Sequence, residues 1–116
     1  MRVTTELPLK IESVANLREN WRARSRRTRV HRAAAHYQLR VAGVRPPAGM
    51  LVQVQLVRIA PRPLDDDNLA SGFKAVRDGV ADWLGRDDGS RDVRWSYSQE
   101  RGQPHAYSCR IEVDYA

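Results

Sequence analysis

The sequence predicts an α+β domain: a small mixed β-sheet with two main helices, in the order β-α-β-α-β-β. Three observations lead there. Four segments alternate apolar and polar residues with the two-residue period of half-buried strands. Two longer segments repeat apolar residues at helical spacing. Pro- and Gly-rich stretches fall between several of these segments, where the chain has to turn. A chain of 116 residues allows one domain, 1–116, with one modest core.

Val3, Thr5, Leu7, Leu9 and Ile11 alternate with mostly polar neighbours and mark the first strand. Asn16 followed by Glu19 reads as a capping box, each side chain satisfying the other's free backbone NH. A helix over about 17–39 follows, with Leu17, Trp21, Thr28, Ala35 and Leu39 near one stripe. Gly43 to Gly49, with Pro46-Pro47, ends it in a turn. Residues 50–60 are the clearest strand, and Pro61 and Pro63 close it in an extended conformation. Leu69, Phe73, Val76, Val80, Trp83 and Leu84 predict a second helix over about 68–84, capped by Asp67 or Asn68. Val93, Trp95 and Tyr97 predict a third strand, and Tyr107, Cys109, Ile111 and Val113 a fourth. Gly102-Gln103-Pro104 suits a hairpin between those two.

Charge narrows the function. Twenty Lys and Arg face 14 Asp and Glu for a net +6, and Lys10 and Lys74 are the only lysines. Arginine forks onto phosphate oxygens, and each neutralised phosphate releases counterions, so a polyanion is the natural partner. A soluble basic protein without such a partner is the plain alternative. The cations concentrate in the first helix: Arg18, Arg22, Arg24, Arg26, Arg27, Arg29 and Arg32. Cys109 stands alone, which excludes an internal disulfide and a multi-cysteine zinc site and suits a buried structural thiol. No apolar run approaches the ~20 residues of a membrane span and no signal-peptide core is present, so a cytoplasmic protein is expected.

The run Pro63-Leu64-Asp65-Asp66-Asp67-Asn68-Leu69 gathers three adjacent carboxylates beside a helix start. Their repulsion is offset either by the helix N-terminus or by a hard divalent cation such as magnesium. Alternate residues of an extended segment share a side, so Asp65 and Asp67 are expected to converge while Asp66 points away. Asp87-Asp88 opens the turn after the second helix, and the two acidic groups can surround one metal. An Asp-Asp-Gly turn also needs those residue types for its own geometry. Lys74 and Asp78 are one helical turn apart, which fits either a surface ion pair or an ammonium stabilising charge on a phosphate. His31, His36 and His105 lie in no acidic motif and are read as structural or DNA-facing. Trp21, Trp83 and Trp95 are read as core residues, with Trp95 or Tyr97 as alternative stacking platforms for bases.

Asp65-x-Asp67-Asn68-Leu69, then Lys74-x-x-x-Asp78, then Asp87-Asp88 resembles the signature of the RusA-type Holliday junction resolvases, a family common in prophages. The likeness covers about residues 63–90. Lys74 departs from it by following Asn68-Leu69 about one helical turn late. The resemblance implies a RusA-like fold, with Asp65, Asp67 and Asp88 as catalytic metal ligands and Lys74 assisting. Asp66, Asp87, Asn68 and Asp78 would support them. It implies magnesium as cofactor, with manganese able to substitute. It further implies a homodimer that nicks opposing strands of a four-way junction in DNA recombination and repair. The arginines of the first helix would then hold the junction arms. Two alternatives stand beside it: a non-catalytic basic nucleic-acid-binding module, and a nuclease for other branched DNA such as replication forks.

Overall fold

The computed structural model describes residues 1–13 and 20–116. Along the chain run β1 (Arg2–Leu7), α1 (Trp21–Ala42), β2 (Val52–Ala60), α2 (Asp66–Gly72), α3 (Lys74–Leu84), β3 (Val93–Arg101) and β4 (Ser108–Tyr115). The predicted α+β class and mixed sheet are both present. The strands lie side by side as β1-β4-β2-β3. β2 and β3 are parallel, and β4 is antiparallel to both β1 and β2.

Apolar content decides which strands sit in the middle. Val52, Val54 and Leu56 of β2 and Cys109, Ile111 and Val113 of β4 are all buried, and these two strands pair at the centre. Beneath them α1, α2 and α3 supply Leu39, Leu69, Phe73, Val76, Val80 and Trp83 to one continuous core. The opposite face of β1 and β4 is laced with charge. Arg2 pairs with Asp114 and Glu112, and Arg110 with Glu112 and Glu100, the cross-strand arrangement of a sheet with one wet face. Cys109 is buried as expected, and burial pushes its thiol pKa up to about 12.

Besides ending the first strand at Leu7, short of Leu9 and Ile11, the structure corrects four expectations of the fold. The hairpin between the last two strands does not form, because β2 lies between β3 and β4. The α2–α3 crossover delivers β3 parallel to β2, and the chain then passes the end of β2 to reach its other edge. Gly102 makes that passage closely: its N–H donates to the Ala60 carbonyl at 2.9 Å. Second, the helix expected over 68–84 is two helices that meet at Phe73. Gly72 weakens the helix there, and a Cβ on it would lie 2.7 Å from the Glu12 carbonyl oxygen. Third, the cap of that segment is Asp65, rather than Asp67 or Asn68. Fourth, Trp21 is 74% exposed and Thr28 is exposed too, so the buried stripe of α1 reduces to Ala35 and Leu39. The Asn16–Glu19 capping box and Leu17 lie outside the described residues. Within them Asn20 caps α1, accepting from the Ala23 N–H at 2.9 Å. Trp83 is buried, as predicted.

Gly79 sets the distance between α1 and α3. A Cβ there would lie 2.3 Å from the Arg32 carbonyl oxygen and 2.9 Å from the Ala35 Cβ. Gly to Ala in a helix ordinarily stabilises by about 0.5–1 kcal/mol. Here the helices would have to part, so Gly79→Ala is expected to destabilise by about 1–3 kcal/mol in urea unfolding.

Candidate functional site

The acidic run leaves β2 on a braced approach. Arg58 is buried and donates from Nε to the Ile11 carbonyl at 2.8 Å and from Nη1 to the Arg62 carbonyl at 2.6 Å. Gln99 of β3 clasps Leu64, accepting from its N–H at 2.8 Å and donating to its carbonyl at 2.7 Å. Asp65 therefore arrives in a fixed position. Its Oδ1 accepts from the Asn68 N–H and its Oδ2 from the Asn68 Nδ2, both at 2.9 Å. Asn68 in turn accepts at 2.7 Å from the hydroxyl of Ser13, which is buried. Asp66 and Asp67 are exposed in the first turn of α2, where the helix dipole favours negative charge. These two residues are helical, so strand alternation does not bring Asp65 and Asp67 to one side.

The second acidic group is drawn into a network with α3. Lys74, its first residue, donates to Asp78 at 2.8 Å and to Asp88 at 3.2 Å. The late position of Lys74 thus still leaves it against the closing aspartate. Arg77, one turn on, places Nε 3.3 Å from the Asp88 carboxylate and donates from Nη2 to the Asp88 carbonyl at 3.1 Å. Its Nη1 donates to the Tyr97 hydroxyl at 2.8 Å, and its guanidinium lies 4.6 Å from the centre of the Trp95 ring. The Trp95 indole N–H also donates to the Asp88 carbonyl, at 2.9 Å. Trp95 is therefore a brace for the turn, with a ring face already covered. Hydrogen bonding to Lys74 holds the Asp88 carboxyl below the usual carboxylate range, and bonding to Asp78 raises the Lys74 pKa. Asp87 accepts from the Gly89 N–H at 3.1 Å and shapes the turn.

Between α1 and the α2–α3 corner lies a cleft of about 640 Å³. Lys74, Arg77 and Asp88 line it from one side, and Arg24, Arg27 and His31 from α1. Burial, and then the charge of Arg27, lower the His31 pKa. Of the predicted DNA-facing arginines, Arg22, Arg24, Arg26 and Arg29 are exposed on α1 and Arg27 is half-buried. Arg32 is engaged with Asp82 at 2.7 and 2.9 Å, a clasp between α1 and α3. Arg18 lies outside the described residues.

Among the described residues, no three His, Cys, Asp or Glu side chains are close enough together to hold a metal ion. Asp65, Asp67 and Asp88 are thus not gathered into a three-carboxylate cage. Their chemistry nevertheless suits magnesium, a hard cation held by one or two carboxylates, several waters and substrate phosphates. Arg77 and Gln99 are the site residues absent from the sequence reading, and Tyr97, expected there as a stacking platform, instead accepts from Arg77. The spacing of Arg77 from Lys74 is a weak signal, and the other two are joined to the motif only by the tertiary fold.

Asp65→Ala removes the cap of α2 and is expected to cost about 0.5–2 kcal/mol in denaturant unfolding. A stability unchanged by the substitution would show that the two bonds to Asn68 contribute nothing to the fold.

No protein-family model matches this chain, and no curated protein matches it. Among the described residues, no helix is long and apolar enough to cross a membrane.

Proposed function

We propose that this protein is a magnesium-dependent, structure-selective endonuclease of the RusA type. It would resolve four-way DNA junctions by paired symmetric nicks, in recombination and repair, in the cytoplasm and from a phage or prophage gene. One observation carries the reading: the cleft that holds Lys74 and Asp88 is walled on its other side by Arg24 and Arg27 of α1. Asp88, one of the carboxylates suited to a metal, thereby shares an opening with cations suited to phosphates.

Magnesium, with manganese as a substitute, would draw on the carboxylates of Asp65, Asp67 and Asp88, one or two of them directly and the rest through its waters. When bound it supplies an activated water and neutralises charge on the phosphate. Lys74 stabilises charge on the phosphate oxygens, while Arg77 keeps the Asp88 turn in place. Arg22, Arg24, Arg26, Arg27 and Arg29 grip the phosphates of the junction arms without reading bases. A two-fold junction is best matched by a homodimer, whose symmetry presents two sites.

A second reading rests on the ties of the acids themselves. Both Asp65 oxygens accept bonds from Asn68, and Asp88 is neutralised by Lys74 and Arg77. On that reading the chain is a non-catalytic basic module that binds nucleic acid.

Incubating one labelled strand as a four-way junction, a replication fork or a linear duplex, with magnesium and with manganese, separates the possibilities. Preferential cutting of the junction is expected. Preferential cutting of the fork would reassign the substrate, and tight binding without cleavage in either metal would favour the second reading.

A further inference from the structure

We propose that the cleft between α1 and the α2–α3 corner receives a single unstacked nucleotide, base inward and phosphate toward Lys74. The inference rests on the nucleic-acid reading above and adds to it the form of the substrate.

The lining sets this cleft apart from a groove that merely follows a phosphate backbone. Ala70, Gly72, Ala75 and the half-buried Tyr97 contribute apolar surface, while Arg24, Arg27, Lys74 and Arg77 contribute positive charge that outweighs the single carboxylate, Asp88. A ligand that matches both has a flat apolar part and an anionic part, as a nucleotide does. The volume of about 640 Å³ falls within the about 300–1,000 Å³ of small-molecule sites, large enough for a base with its sugar.

The polar groups are placed to suit. A lysine ammonium carries three donors, and Lys74 directs two of them to Asp78 and Asp88, which leaves one for a phosphate oxygen. His31 is half-buried in the wall, and burial favours its neutral form. A neutral imidazole offers one donor and one acceptor, the combination that a base edge can use. Branched DNA supplies the ligand, because pairing and stacking are weakest where strands exchange.

The test uses a labelled duplex carrying one unpaired fluorescent adenine analogue, the same duplex with an abasic residue at that position, and a fully paired control. The full-length protein is expected to bind the base-bearing bulge about tenfold more tightly than the abasic one, the size of a base–protein stacking contribution. Binding should also shield the analogue from acrylamide quenching. Ala75→Phe fills the cleft and is expected to bring the ratio close to one, with affinity for paired duplex held within about twofold. Equal affinity of the unaltered protein for base and abasic bulges, or an analogue left open to quencher, would overturn the proposal without use of any variant. Junction cleavage without this preference overturns the nucleotide site alone. The preference without cleavage supports the site and counts against the nuclease reading.

Discussion

Asp67→Asn is expected to remove magnesium-dependent strand cleavage while leaving the fold and DNA affinity close to those of the parent chain. Asp67 is exposed in the first turn of α2, and the cap of that helix is carried by Asp65. An amide of the same shape therefore takes away one negative charge and no part of the core. The helix loses a favourable charge near its N-terminus, a matter of about 0.3–1 kcal/mol. Cleavage should fall much further. Losing a group that merely supports a metal ligand costs about 10–100-fold, and a ligand proper should cost at least that. Single-turnover cleavage rates and a urea midpoint, measured on the same preparation, check both halves. A variant that folds, binds and still cuts at the parent rate would remove Asp67 from the site.

Phe73→Ala is expected to destabilise the protein by about 3–5 kcal/mol, in line with the loss of a fully buried aromatic side chain. Phe73 heads the fully buried side chains by volume and occupies the corner where α2 ends and α3 begins. Its ring stacks on Tyr97 with centroids 6.0 Å apart, and the Tyr97 hydroxyl accepts from Arg77. The cavity would thus open directly beneath the Lys74–Arg77–Asp88 network. Against a total stability of about 5–15 kcal/mol for an ordinary domain, the loss is large. Urea unfolding followed by circular dichroism measures it. A loss below about 1 kcal/mol would mean that the corner collapses around the missing ring, contrary to the tight packing that a core requires.

Much of this fold is legible in the sequence. Alternation in β2 and β4 is strong because each strand turns a row of Val, Leu and Ile toward the helices, and side-chain period follows directly from strand geometry. Alternation says nothing about neighbours. The hairpin expected between β3 and β4 failed for that reason: which edge of β2 each strand takes depends on the route of the crossover and on apolar load. The break at Phe73 was hidden because Leu69, Phe73, Val76 and Val80 keep helical spacing across it. Gly72 stands beside it because the Glu12 carbonyl leaves no room for a Cβ, a contact sixty residues apart in sequence. Trp21 misled because a large apolar residue on a helical stripe is ordinarily buried, whereas the helix stripe that meets the core begins farther along α1.

The candidate site divides in the same way. The local pattern pairs Lys74 with Asp78, and that pair is present, whereas the helix start falls at Asp65 rather than at Asp67 or Asn68. The approach of Lys74 to Asp88 across fourteen residues accords with the grouping of those two residues in one motif. The roles of Arg77, Trp95, Tyr97 and Gln99 arise from β3 lying beside β2, a pairing that no local pattern announces. Strand alternation also misjudged Asp67, since a helix begins at Asp66 and changes the direction of every side chain after it.

The measurement that bears most directly on the central claim is the mapping of nicks in a four-way junction whose strands are labelled one at a time. With magnesium present, nicks are expected at matching positions on two opposing strands, absent without divalent metal and absent in Asp67→Asn. A junction bound tightly yet left intact in every divalent metal would contradict it.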